Sequence, residues 1–593
     1  MAQAVNVMDI VDSRSREITA AMEALKTNMS VSYKLSIPFY MRRRAASHNP
    51  KRLPARVRPL DAAPSKAKFK WKKRAGKIQE EETRSKGKEE DACTANERME
   101  DKENVKKAKR LETHLWHAKR CHMKDVWGYR LALCTTQKGA RAAHRATNTA
   151  TTLQDTSYYH WVSLSGEGLH SKLDGVLVPN HVTQHRVTCS HLYHLGKCLG
   201  PVRVYRTSGE TVYLRLHPAV ATSCSDLSAV FPGLSVKSLR DAFSQFTLHG
   251  VRSLELLVKS LTLSETTNTA VREIWDELSD NVFHYDVMSG TVLGCDVVIP
   301  PREHKLFVSV LDTEITQPAH RICPDETLGG DTLFRSALSS TSSVTDTVTD
   351  TVTSNTDRET LPCCIYKDPV TSALTLMLPR GTGTRLWISL VYSGGRVVGL
   401  QDQHSLNTDR SRATFPADYP DTPAGRGYWE EDGREREGKE MRRPPQKRVK
   451  YEELGIASPF VPDWLGVCGS EDISVIRDPA LLRILPAALD KHLLTVSLTC
   501  VKRGNFRPGS HIYYVERLHD EPASPDPVYG SEDRYPVVGY LTSGNYCLNS
   551  GKGGGVALIL AGIFKKVRER CGALLVRNTT SKQYRFVEAR LIF

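Results

Sequence analysis

The feature that most constrains this chain is the segregation of its charge. From Met41 to Gln79 there are 14 Lys/Arg and a single acid, Asp61. From Glu80 to Glu103 the sign reverses, with ten acids against five bases, and Asn104 to Arg145 then has 11 Lys/Arg against Glu112 and Asp125. The stretch 41–145 thus carries 30 bases and 13 acids, a net +17, more than the +15 of all 593 residues. A segment so charged cannot bury itself as a core, so the chain reads as a basic N-terminal arm on a nearly neutral body. Such an arm attracts a polyanion, because each neutralised phosphate releases counterions whatever the sequence.

Aromatic and imidazole side chains lie among these bases: Trp71, His114, Trp116, His117, His122, Trp127, Tyr129 and His144. Planar groups that stack on unpaired bases, beside cations that hold phosphates, are the ingredients of an RNA site. Read alone, a run such as Lys70-Trp71-Lys72-Lys73-Arg74 is equally a solvated charge run or a nuclear-import signal. A membrane-surface helix would need one broad apolar face, which MRRRAASHNPKRLPARVRP lacks. Pro50, Pro54 and Pro59 keep that stretch extended, like a strap along a phosphate backbone.

The remaining residues are apolar enough to fold, since 40% of the chain is hydrophobic, and this excludes a wholly disordered protein. The longest apolar run, Gly555–Phe564, is shorter than the roughly 20 residues of a membrane-spanning helix. The N-terminus lacks a signal-peptide pattern, and 14 cysteines without a CxxC pair fit free thiols in a reducing compartment.

Along the chain, helical spacing over Asn6–Lys26 predicts a short amphipathic helix, and Leu111–Tyr129 has the composition of a helix reaching Gly128. From Thr152 to Val310 short apolar runs alternate with helical candidates, a mixed pattern dominated by strands. Ala337–Glu359 is a Ser/Thr/Asp repeat with little to bury. Leu374–Leu400 reads as strands separated by glycine turns, Arg426–Glu453 as a polar, Pro-containing segment with nine Lys/Arg, and Leu494–Phe593 as further strands. The expected fold class is α+β. The expected organisation is a helical region 1–37, a basic arm 38–150 with an acidic linker 80–103, a first body part 151–335, an insert 336–360, a central domain 361–455 and a β-rich C-terminal part 456–593.

Little in the sequence points to catalysis. On a helix, His114, His117 and Cys121 would share one face, yet no nearby pair completes the four ligands of a structural zinc site, so packing or RNA contact is expected of the histidines. Gly381-Thr382-Gly383 and Gly551-Lys552-Gly553-Gly554-Gly555 match neither phosphate-loop nor dinucleotide patterns and are read as tight turns. There is no GxSxG, no HExxH and no convincing carboxylate pair. No catalytic residue, metal ligand or cofactor is assigned.

These residues also carry a family likeness. MRRRAASHN at 41–49, KRLP at 51–54, and LETHLWHAKR at 111–120 with His122-Met123 closely resemble the two N-terminal signatures of the largest protein subunit of eukaryotic ribonuclease P and RNase MRP, the processing-of-precursor-RNAs family. LPRG at 378–381, FPADYPDTPAG at 415–425, RRPP at 442–445, GYLTSGNY at 539–546, LVRN at 575–578 and QYRF at 583–586 agree with the same family, so the resemblance spans about residues 38–593. Cys121 stands where the family pattern leads one to expect a bulky apolar residue, and the acidic linker and the Ser/Thr/Asp insert do not align with it.

The resemblance implies a protein that is not itself a nuclease but braces a catalytic RNA and contacts smaller protein subunits, in support of precursor tRNA 5′ leader removal and precursor rRNA processing, in the nucleus and nucleolus. It implies a body similar to an aminomethyltransferase (glycine-cleavage T-protein) and no cofactor. The residues expected to contact RNA are Arg42, Arg43, Arg44, His48, Lys51, Arg52, Arg56 and Arg58 in the first motif, and His114, Trp116, His117, Lys119, Arg120 and His122 in the second. Two other readings stand beside it. One is a folate- or S-adenosylmethionine-dependent one-carbon enzyme of the same fold; the other is a basic-armed chromatin or ribosome-assembly factor.

Overall fold

Alternation of side chains shapes the body. In the strand Leu374–Pro379, Leu374, Leu376 and Leu378 enter one hydrophobic core while Met377 enters another. Leu361–Lys367 does the same, with Leu361, Cys363 and Ile365 on one side and Cys364 and Tyr366 on the other. A strand with both faces apolar must lie between two layers.

The computed structural model describes residues 108–137, 139–179, 186–207, 211–223, 227–280, 285–299, 360–470, 473–478, 490–516, 535–569 and 572–592, with short pieces at 14–15, 17–23, 320–322, 333–334 and 528–529. The chain divides into two compact units, Met1–Lys106 and Lys107–Phe593. In the first, helix is described at 14–15 and 17–23, within the stretch expected to be helical. The first basic motif, the acidic linker and the Ser/Thr/Asp insert lie outside the described residues.

The second unit is α+β and is built on three large sheets. A seven-stranded sheet has the order Thr262–Leu263, Val292–Val298, Leu361–Lys367, Leu374–Pro379, Phe243–His249, Thr152–Asp155, Arg396–Val397, antiparallel except for its last pair. Helices Ser253–Ser260, Thr269–Asp280 and Gly383–Tyr392 cover one face, with Leu257, Trp275, Leu386 and Trp387 in the shared core. Its other face meets a six-stranded antiparallel sheet through Trp161, Tyr205, Tyr213, Phe334 and Tyr366. The strand order interleaves residues 152–298 with 361–397. The expected boundary between a first body part and a central domain therefore does not separate two cores, because strands from both sides of the insert pair directly.

The third sheet closes on itself. Leu493–Cys500 pairs with Lys552–Leu560 on one side and with Gln583–Leu591 on the other, and Val537–Cys547, His511–Val515 and Ala573–Arg577 complete the antiparallel ring. Closure removes the exposed strand edges that an open sheet would leave, and Leu494, Val496, Leu541, Ile559 and Val576 fill the interior.

Three local expectations need correction. Leu111–Tyr129 is not one helix. Helix is confined to His114–Ala118, and Cys121–Val126 and Tyr129–Thr135 form a hairpin. Trp127 (φ 53°) and Gly128 (φ 79°) take the pair of left-handed conformations that joins two strands in two residues. The stretch Leu374–Leu400 is not all β, because Gly383–Tyr392 is a helix whose Leu386, Trp387 and Leu390 are buried. Residues Pro423–Met441 form a 19-residue helix inside what reads as a polar segment. Thr422 caps it by accepting a hydrogen bond from the Gly425 N–H (3.0 Å), and Pro423 stands in the first turn, where its missing N–H costs nothing.

Candidate nucleic-acid interface

The second basic motif is folded into the body, and its non-basic residues hold it there. Glu112 spans 269 residues of sequence to reach the loop before helix Gly383–Tyr392. Its carboxylate accepts hydrogen bonds from the N–H groups of Gly381 (2.6 Å) and Gly383 (2.9 Å), and its carbonyl accepts from Thr384 Oγ1 (3.0 Å). A helix start carries unpaired N–H groups and partial positive charge, so it binds an anion; here the anion is a side chain of the chain itself. A Cβ on Gly383 would sit 2.8 Å from that carboxylate and 2.5 Å from Ser244 Oγ, so glycine is required by the close approach. The turn expected from Gly381-Thr382-Gly383 is thus a carboxylate receptor as well.

Thr113 donates from Oγ1 to buried Asp155, and the Lys109 ammonium pairs with Asp241 at 2.6 Å. The same Asp241 accepts from the hydroxyl of Tyr129 (2.9 Å), which lies 3.0 Å from His160 Nε2. Burial pushes the Tyr129 hydroxyl up to about 12 and the His160 imidazole down to about 4, so both are neutral near pH 7.

The six residues expected to contact RNA in this motif divide into two groups. Lys119, Arg120 and His122 are exposed. His117 is 4% exposed and His114 9%. The His117 ring lies 4.8 Å from Trp387 and 5.2 Å from Trp116, with Nδ1 3.0 Å from the Thr113 carbonyl oxygen. Burial lowers the pKa of both histidines, and Arg110 and Arg130 lower that of His114 further. Two neutral, enclosed imidazoles are not phosphate ligands, so packing takes the place of the RNA contact expected of them. Trp116 is half-buried: one edge packs on Trp387 (5.6 Å), and the Arg120 guanidinium covers the ring at 4.6 Å. Cys121 is buried at the start of a strand, off any face shared with the histidines. Among the described residues no group of three or more His, Cys, Asp or Glu side chains is placed to hold a metal ion.

The result is a short helix and hairpin whose inner side is aromatic and hydrogen-bonded and whose outer side presents Lys119, Arg120, His122 and, at 72% exposure, Leu115. Sequence reading missed neighbours that extend this surface. Arg110 is exposed and Arg380 is 54% exposed, the latter 4.0 Å from Glu112; Arg385 is also exposed. The basic composition around Arg110 was a visible signal, whereas Arg380 and Arg385 come from a distant segment. Arg42, Arg43, Arg44, His48, Lys51, Arg52, Arg56 and Arg58 lie outside the described residues.

Comparison with known proteins follows the same segments. The model of the "Ribonucleases P/MRP protein subunit POP1, N-terminal" family matches residues 10–110 and 61–167, that of the "POPLD (NUC188) domain" matches 373–464, and that of the "POP1 C-terminal domain" matches 515–593. The chain is 26% identical to the "Ribonucleases P/MRP protein subunit pop1" of Schizosaccharomyces pombe, covering 97% of this chain and 92% of that one. It is 23% identical to the human "Ribonucleases P/MRP protein subunit POP1" over 78% of this chain, and that match spans 59% of the human protein's length. Among solved structures it is similar to the glycine cleavage system aminomethyltransferase T from Bartonella henselae, with a TM-score of 0.43 and 14% identity, over 81% of this chain and 96% of the other.

Proposed function

The chain belongs to the POP1 family of ribonuclease P/MRP protein subunits, and from that premise we propose that it is a non-catalytic scaffold that braces the catalytic RNA of these particles. The carrying observation is that models for the family's N-terminal, POPLD and C-terminal segments match this chain in order. The physical support is independent: more than the entire net charge lies in 41–145, and the part of that stretch in the second unit offers an exposed basic edge on a rigid base.

In this reading Arg42, Arg43, Arg44, His48, Lys51, Arg52, Arg56 and Arg58 hold phosphates of the RNA. Lys119, Arg120 and His122 contact RNA beside the body, with Trp116 orienting Arg120. Smaller protein subunits of the same particles are its other partners, precursor tRNA and precursor rRNA are the substrates of the assembly, and its place is the nucleus and nucleolus. Lys70-Trp71-Lys72-Lys73-Arg74 supports the import step. The one-carbon-enzyme reading is not favoured, since the relatives are named as ribonuclease P/MRP subunits.

Filter binding of the full chain to the in vitro transcribed RNA subunit of ribonuclease P tests the proposal. With about 6–10 phosphate contacts, affinity falls by roughly three to five orders of magnitude between 50 and 200 mM salt. An affinity flat across salt, or unchanged in the triple variant Arg42→Ala, Arg43→Ala, Arg44→Ala, refutes it.

A further inference from the structure

A second basic surface lies at the far end of helix Pro423–Met441, in a segment the arm reading leaves without a role. Residues 442–450 are Arg-Arg-Pro-Pro-Gln-Lys-Arg-Val-Lys, with basic side chains at five positions and no acid, and every residue from 441 to 448 is exposed. This is a built turn. Arg448 folds back on the helix end, donating to the carbonyls of Arg443 (Nε, 3.0 Å) and Met441 (Nη2, 2.7 Å), and the Glu440 carboxylate accepts from the Val449 N–H at 2.8 Å. Pro444 and Pro445 prevent the helix from continuing. With Arg448 spent on the turn, Arg442, Arg443 and Lys447 are carried on its outside.

The same helix ties this turn to the rim of the closed barrel, because Arg436 donates to the Pro508 carbonyl (3.1 Å), and beyond the turn the Leu454 carbonyl accepts from Arg577 of the barrel. The rim is basic too. Lys502 and Arg503 are exposed and Arg507 stands in the same loop, Arg585 donates to the Arg503 carbonyl (2.7 Å), and Lys552 donates to the Val501 carbonyl (2.8 Å). The carboxylates nearby are Glu440, engaged with Val449 and Arg443; Glu453, paired with Lys450; Glu452; Glu437, exposed one turn before the helix end; and Glu588, exposed on the strand of Arg585.

The helix that carries the turn also touches the hairpin above. Lys124 of the hairpin pairs with Glu435 (2.8 Å) and Glu431 (3.3 Å) on this helix. Glu435 to Arg442 is a rise of about 10 Å along the axis, somewhat more than the roughly 8 Å Debye length at physiological salt. Between the hairpin and the turn the helix exposes Glu431, Glu435 and Glu437, so the two basic surfaces are separate patches at either side of an acidic stretch.

We propose that Arg442, Arg443, Lys447, Arg503 and Arg507 form a second RNA-binding surface, separate from that of the second motif, that holds the phosphate backbone without reading bases. The inference rests on the scaffold reading and adds the site at which the C-terminal half of the chain grips the RNA. These cations, on two connected rims, neutralise phosphates as point charges or forks, and each of them adds to the salt dependence of binding.

The test uses the full chain and the transcribed ribonuclease P RNA. In the variant Arg442→Ala, Arg443→Ala, Arg507→Ala the slope of log affinity against log salt becomes shallower by about 2 to 3, at roughly 0.7–0.9 for each phosphate no longer neutralised. The charge-keeping variant Arg442→Lys, Arg443→Lys, Arg507→Lys keeps the wild-type slope, which separates missing charge from a disturbed fold. A wild-type slope in the alanine variant, or a shallow one in both variants, overturns the inference. The arm variant at 42–44 is measured alongside. If it loses affinity while the alanine variant at 442, 443 and 507 does not, this site falls and the scaffold reading stands; if the wild-type chain itself binds with no salt dependence, the scaffold reading falls as well.

Discussion

Replacing Glu112 with alanine should release the second motif from the body. The carboxylate makes two charge-assisted bonds, at 2.6 and 2.9 Å, to the N–H groups of Gly381 and Gly383. Such bonds contribute about 1.5–3 kcal/mol each, and an anion at a helix start adds about 0.3–1 kcal/mol. The side chain is 22% exposed, so the lower ends apply and the loss comes to about 3 kcal/mol. That energy corresponds to roughly a 150-fold rise in local opening. Hydrogen exchange followed by mass spectrometry on peptides covering 381–386 reads this directly. Glu112→Gln, which keeps one neutral acceptor, should give roughly half the energetic effect. A second readout has opposite signs for the two explanations. Removing an acid beside Arg380 should tighten RNA binding if only charge matters, whereas loss of the latch should weaken it by leaving Lys119 and Arg120 unheld. Exchange at 381–386 that stays within about twofold of wild type in Glu112→Ala, or RNA binding that becomes tighter, would refute the latch.

Other outcomes follow from the same geometry. Lys119→Ala with Arg120→Ala should lower RNA affinity and the salt slope while leaving the thermal midpoint within a degree or two, because both side chains are exposed. His117→Ala should do the reverse, costing about 2–4 kcal/mol by opening a hole between Trp116 and Trp387 while the salt slope persists; equilibrium denaturation measures it. Burial holds His160, His249 and His511 down to about 4, so the unfolded chain takes up protons first as pH falls below 6.5. The stability these groups contribute is complete above about pH 6.5 and is lost between there and about 4, at roughly 1 kcal/mol per group per pH unit, and a melting temperature flat from about pH 7 to 5 would contradict this. Asp421→Asn breaks the buried fork in which Arg477 donates twice at 2.6 Å, and should cost about 3 kcal/mol in the same denaturation assay.

How far the sequence revealed this depends on whether a property is local. Charge is local, so the net positive charge of 41–145 is visible from residue counts alone, whereas the exposure of Lys119 and Arg120 beside buried His117 is not. Helix Pro423–Met441 left a local trace, Thr422-Pro423 at its start, but four glycines and many charges in its body drew attention to a polar segment instead. Burial is not local. His114 and His117 have the right chemistry for an RNA site, and only Trp387, brought in from about 270 positions away, makes His117 a neutral core residue. Barrel closure is equally hidden, since the two strands through which Leu493–Cys500 closes the ring both come from beyond residue 550. The hairpin in place of a long helix has the same origin. Helix-forming composition over 111–129 gives way because Tyr129 gains Asp241 and His160, and Lys109 gains Asp241, only if the chain reverses at Trp127-Gly128. A motif that reads as a row of RNA ligands is therefore two interleaved sets. Glu112, Thr113, His117 and Tyr129 fix the posture, and Lys119, Arg120 and His122 are what that posture presents. A substitution in the first set should change where the charges point, and one in the second should change only how many there are.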